Sequence, residues 1–172
     1  EITCLADLKD LVIRVQESEI MMGMIDAVGA NPTTTAYSEV YSALQTGVVA
    51  VAENSIASYV STAHYEVAPY LLLDNHVYAP DILIMSRQVW DQLSADDQKI
   101  FMDAAYESVV YEREVYEEYE AEALQKAIDG GVTVIELTPE QQQEFIDATA
   151  SMAEDYCADY IDIINQLREM QK

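Results

Sequence analysis

Leu11-Val12-Ile13-Arg14-Val15 is a short run dominated by β-branched side chains, and it reads as a strand. Three residues on, Ser18 supplies an N-cap for a helix carrying Met21, Met22, Met24, Ile25 and Val28, with Gly29 as its stop. Asn31-Pro32 reads as a loop, and a second helix from Ser38 to Thr46 is closed by Gly47 in the same way. Val48 to Ala52 is the next strand. Strands alternating with helices over these residues set the class as α/β.

Outward from this core, Ser55 to His64 reads as a third helix, and Val67 to Leu73 and Asp81 to Met85 as extended stretches. Ser94-Ala95-Asp96-Asp97 resembles a capping box. No breaker follows until Gly130-Gly131, so the spacing predicts a helix of unusual length. Met102, Ala105, Val109, Tyr116, Tyr119, Ala123 and Ala127 form its one modest stripe, the pattern of a helix that bridges two lobes. Val132 to Leu137 is a further strand. Thr138-Pro139-Glu140-Gln141 combines cap, first-turn proline and capping-box glutamine. A last helix is expected from there, with Phe145, Thr149, Met152, Tyr156, Tyr160, Ile163, Leu167 and Met170 on one face.

The chain has 172 residues, 51% of them hydrophobic, enough for a domain with a core or for part of a two-lobed protein. Thirty-two acids against eight bases give a net charge of −24, which makes nucleic acid and anionic membrane surfaces poor partners. Any site for an anion must then rest on a local basic group. No run approaches the roughly 20 apolar residues that span a bilayer, and no signal-peptide pattern opens the chain. Starting at Glu1, it reads as beginning within a longer protein. Cys4 and Cys157 lie near opposite ends, either as one bridge or as two free thiols.

Basic residues are rare: Arg14 and Lys9 are the only arginine and lysine in the first 86 positions. A guanidinium leaving a mostly buried strand offers a planar fork that matches a carboxylate and cannot be deprotonated. Its partner is either a ligand carboxylate or a nearby acid such as Glu17, Glu39 or Glu53. Glu53-Asn54 ends a strand, where open α/β sheets place ligands. Asn54 can donate and accept, but asparagine also serves there as a turn residue. His64 and His76 lack metal-ligand spacing and read as structural; no metal or cofactor is expected. Phosphate loops, nucleophile elbows and kinase signatures are missing, so no enzyme is expected.

Gly29-Ala30-Asn31-Pro32, then Ala36-Tyr37-Ser38-Glu39-Val40-Tyr41-Ser42-Ala43-Leu44-Gln45-Thr46-Gly47-Val48-Val49, then Glu53-Asn54, resembles the signature of DctP-type solute-binding proteins of TRAP (tripartite ATP-independent periplasmic) transporters. Asp7-Leu8-Lys9, Ile13-Arg14-Val15, Asn75-His76-Val77-Tyr78 and Trp90-Asp91-Gln92-Leu93-Ser94 resemble its flanking segments. The resemblance covers essentially the whole chain, as the second half of a family member. It implies a periplasmic-binding-protein-like lobe with a mixed sheet and a long connecting helix, the first lobe being largely missing. Residues 1–80 and 131–172 would form the C-terminal ligand-binding lobe, and 81–130 a crossover strand and inter-lobe helix. It further implies a periplasmic, non-catalytic protein that captures a small organic acid and hands it to TRAP membrane subunits.

Carried over by position, Arg14 pairs with the ligand carboxylate, Asn54 hydrogen-bonds near it, Tyr37 lines the pocket and Glu17 faces the cleft. Glu39 and His76 take structural places. Ala50 and Val51 depart from the family's usual Asp-Gly, and Ser55 from its proline, which gives the turn after the strand another shape. The alternative is a truncated relative that binds no solute and acts as an interaction or scaffold module, in which case a homodimer would cover its apolar faces.

Overall fold

The structure is a computed structural model and describes residues 1–78 and 80–170. Residues 79 and 171–172, all within the expected ligand-binding lobe, lie outside the described residues. Strand β1, Val12–Val15, forms where the β-branched run predicts it. Helix α1, Glu19–Ala27, is capped by the Ser18 hydroxyl, which accepts from the Met21 N–H. Gly29 ends the turn at φ 79°, a left-handed value glycine adopts without strain.

Asn31-Pro32 is strand rather than loop: β2 spans Asn31–Thr34 and runs parallel to β1, with Ile13 opposite Pro32 and Arg14 opposite Thr33. Pro32 is tolerated because β2 lies at the sheet edge, where one missing N–H costs no ladder bond to a further strand. A 3₁₀ turn at Tyr37–Glu39 leads into helix α2, Val40–Gln45. The following strand is shorter than expected, because the Val48 and Val49 N–H groups are drawn back to the Ala43 carbonyl. What remains is β3, Val51–Ala52, on the other side of β1. The order is therefore β2-β1-β3, parallel throughout.

Ser55 caps helix α3, Ile56–Ser61, and a second parallel pair joins β4, Tyr70–Leu73, to β5, Thr133–Glu136. The expected mixed sheet thus resolves, among the described residues, into two small parallel sheets within an α/β fold. Residues 81–85 enter no ladder, and Ile82, Leu83 and Ile84 stand exposed. After helix α4, Arg87–Trp90, helix α5 runs unbroken over Ala95–Asp129, capped by Ser94. Of its predicted stripe only Ala123 and Ala127 are buried, packed with Tyr59 and Val60 of α3 and Val132.

The last helix is not continuous. Helix α6, Pro139–Ala148, starts with the predicted Thr138/Gln141 capping box but stops at Thr149. The Thr149 hydroxyl donates back to the Phe145 and Ile146 carbonyls, competing with the backbone ladder. Helices α7, Met152–Tyr156, and α8, Ile161–Met170, follow separately. Phe145 on α6 is buried against Ile13, Val15, Met21 and Ile25, forming the main core around β1 and α1. Cys4 and Cys157 are both free.

Candidate functional site

Three strand ends converge on one point. Arg14 lies near the C-terminal end of β1, Thr35 follows β2, and Glu53 follows β3, donating its N–H to the Arg14 carbonyl at 3.3 Å. This carboxyl edge is where open α/β sheets gather ligands. Arg14 and His64 are the two buried polar residues among those described, at 6% and 3% exposure.

The Arg14 guanidinium is held from one side. Its Nε and one terminal nitrogen donate to the Thr35 carbonyl at 3.2 and 3.0 Å. Its other terminal nitrogen lies 3.9 Å from a Glu53 oxygen, an ion-pair distance too long for a hydrogen bond. That nitrogen keeps its donors for a further acceptor. The guanidinium carbon is also 5.7 Å from the Tyr37 ring centre, a cation–π contact.

Asn54 and Tyr37 complete the group. The Asn54 amide nitrogen donates to the Tyr37 hydroxyl at 3.2 Å and lies 3.5 Å from His64 Nδ1. The Asn54 oxygen accepts the Ser55 N–H at 3.0 Å, a bond that proline at this position could not make. Tyr37 meets the His64 ring edge-on at 5.9 Å. Burial holds His64 below the ordinary histidine pKa, and the Arg14 charge adds to the effect.

Behind Glu53 stands a second ionic cluster. His76 Nδ1 lies 2.6 Å from Asp74, and its Nε2 lies 3.9 Å from the far oxygen of Glu53. The Asp74 hydrogen bond, with Glu53 in support, pushes His76 up to about 9 against the opposing cost of burial. His76 is therefore an imidazolium at neutral pH, and charges alternate along Arg14, Glu53, His76 and Asp74.

Glu53, Asn54, His64, Asp74 and His76 also line one end of a cavity of about 620 Å³. Its other walls are mostly apolar, including Ile13, Met21, Leu72 and Phe145, with Gln142 and Thr149 among the polar exceptions. A second hollow of about 410 Å³ beside α6 is walled by Glu140, Glu144 and Asp147, which suits no anion. No group of acidic, histidine and cysteine residues able to hold a metal occurs among the described residues.

Of the four residues named from sequence, the fold brings Arg14, Tyr37 and Asn54 together. Glu17 is exposed and has no hydrogen-bond or ion-pair partner among the described residues, because the chain turns away after Val15 to start α1. Glu53, one of the three acids considered for Arg14, is the one beside it. Spacing alone marks His64 as structural; its burial and its contact with Asn54 bring it to the site.

The sequence matches the bacterial extracellular solute-binding proteins, family 7 (DctP), over residues 1–159. The chain belongs to that DctP family. A solute-binding protein of Chromohalobacter salexigens is 38% identical over 131 residues, 76% of this chain and 39% of its own length. A TRAP periplasmic solute-binding protein from Bradyrhizobium, solved with D-galacturonate, superposes with a TM-score of 0.83 at 42% identity, covering 90% of this chain and 51% of its own. Another from Pseudomonas putida F1, solved with D-glucuronate, gives a TM-score of 0.91 at 32% identity, covering 97% and 54%. This DctP chain thus spans about half the length of such relatives. They are periplasmic binding proteins, not enzymes, and no described helix here is long and apolar enough to cross a membrane.

Proposed function

We propose that this chain forms the ligand-binding lobe of an extracytoplasmic protein that captures a small organic acid and delivers it to the membrane subunits of a TRAP transporter. The observation that carries this reading is Arg14: a buried cation at a strand end, braced by the Thr35 carbonyl, with one nitrogen left to donate. Excluding water around such a group strengthens its pairing with a carboxylate. Relatives that hold D-galacturonate and D-glucuronate support a carboxylated sugar as the ligand class. Glu53 supports it too, since a carboxylate beside the arginine can accept from the hydroxyls of a sugar acid.

In this reading residues 1–80 and 131–172 make the lobe, and 81–130 reach towards a second one. Exposed Ile82, Leu83 and Ile84 support that arrangement, because contiguous apolar surface rarely stays bare.

The test is a ¹⁵N-labelled chain titrated with D-glucuronate and D-galacturonate, beside Arg14→Ala. Resonances around Arg14, Tyr37 and Asn54 should shift, and the variant should lose roughly 2–5 kcal/mol of binding. Equal affinity in the variant would refute the Arg14 contact. No response to any acid would leave the scaffold role as the better account.

A further inference from the structure

Asn54 has a limited capacity for hydrogen bonds, and the fold has used most of it. A side-chain amide carries two N–H donors and one oxygen with two lone pairs. The Ser55 N–H fixes which end is oxygen, because a donor there can only be met by an acceptor. The nitrogen end then faces two groups, the Tyr37 hydroxyl at 3.2 Å and His64 Nδ1 at 3.5 Å. Two donors thus face two groups able to accept, an arrangement satisfied by a neutral His64 ring with no proton on Nδ1. A buried ring beside Arg14 is held neutral for the same reasons that lower its pKa. What Asn54 retains for a ligand is one lone pair on its oxygen.

Tyr37 follows from this. Its oxygen accepts from Asn54, and among the described residues nothing takes its own proton, so its O–H is a donor for a ligand. The site therefore offers donors from Arg14 and Tyr37, and acceptors from Asn54 and from the Glu53 carboxylate.

We propose that His64 is a positioning and specificity-determining residue: its unprotonated Nδ1 reinforces the Ser55 N–H in holding the Asn54 amide with the oxygen as the group offered to ligand, so that the site selects acids bearing a hydroxyl near the carboxylate. Asn54 held in this way rewards a hydroxyl, which can donate, and offers nothing to an acid without one. Without Nδ1 only the Ser55 N–H and the Tyr37 hydroxyl would restrain the amide, its rotation to present N–H groups would cost less, and the discrimination would fade. This inference rests on the reading of Arg14, Tyr37 and Asn54 as the ligand site.

The experiment has two arms on the same chain. Long-range ¹H–¹⁵N spectra of the His64 ring report its tautomer directly, and are expected to show a neutral ring protonated on Nε2 at pH 7.5. Titrations compare D-glucuronate with tetrahydropyran-2-carboxylate, which keeps the ring and the carboxylate but has no hydroxyls. The wild-type chain should prefer D-glucuronate by roughly tenfold or more, as expected for an acceptor that a bound ligand covers and leaves unmatched. His64→Phe should shift the Asn54 side-chain amide resonances and shrink that preference several-fold, while His64→Gln, which restores an acceptor, should recover part of it. If the phenylalanine variant fails to fold, the glutamine variant and the ring spectra still decide. A proton on Nδ1, or an unchanged preference in His64→Phe, overturns the proposal. Equal affinity of the wild-type chain for both acids sinks the proposal but leaves the Arg14 reading standing, whereas failure to bind either acid sinks both.

Discussion

Raising the pH from 6.5 to about 9.5 should destabilise this chain through one residue, His76. In the folded state its Nδ1 lies 2.6 Å from Asp74, and its pKa is raised from 6.5 to about 9. The Glu53 contact at 3.9 Å is an ion pair rather than a hydrogen bond, so most of the effect belongs to Asp74. A group whose pKa is raised on folding contributes its full stabilisation below the unfolded pKa and loses it as pH climbs through the folded one. The window is therefore pH 6.5 to 9. A rise of that size corresponds to at most about 3 kcal/mol, trimmed by solvent because the ring is 26% exposed. Urea denaturation at half-unit pH steps measures it, with His76→Asn as reference. The wild type should lose about 2–3 kcal/mol more than the variant across the window. Parallel curves for the two proteins would refute the assignment of the imidazolium to Asp74.

Phe145→Ala should cost about 3 kcal/mol by urea denaturation, because that ring joins α6 to the core around β1; the adjoining cavity lets the site relax and keeps the loss at the low end. Thr138→Ala should cost about 1 kcal/mol, since it removes the hydroxyl that accepts the Gln141 N–H and one half of the capping box at the start of α6. A loss as large as that of Phe145→Ala would mean that the cap holds more than its own helix.

Asn54 shows why the site was legible only in part. Its type and its place at a strand end marked it as a residue able to bind ligand, and the family signature around it pointed the same way. Which of its atoms remain free depends on His64, ten positions away, and on Tyr37, seventeen away. Histidine at position 64 carries no spacing signal. Its significance comes from Ala63, whose left-handed φ of 59° turns the chain after α3, and from burial against Asn54 and Tyr37. Arg14 could be singled out as a scarce cation on a strand, but the Thr35 carbonyl that braces it could not, because that bond depends on β2 pairing beside β1.

Features that depend on neighbouring residues can be read from the chain directly. The start of α1 at Ser18, of α3 at Ser55, of α5 at Ser94 and of α6 at Thr138 follows from hydroxyls that satisfy the first free N–H groups of each helix. The reversals at Gly29 and Gly47 follow from glycine's access to positive φ. Folding in three dimensions makes Asn31-Pro32 an edge strand, interrupts the last helix at Thr149, and sets Glu53 rather than Glu17 beside Arg14. Each of these depends on partners distant in sequence or on competition between side chain and backbone, and a local pattern is blind to both. The same division holds for function: residue types announced a cation and an amide suited to an acid, and packing set which of their hydrogen-bonding groups were left for it.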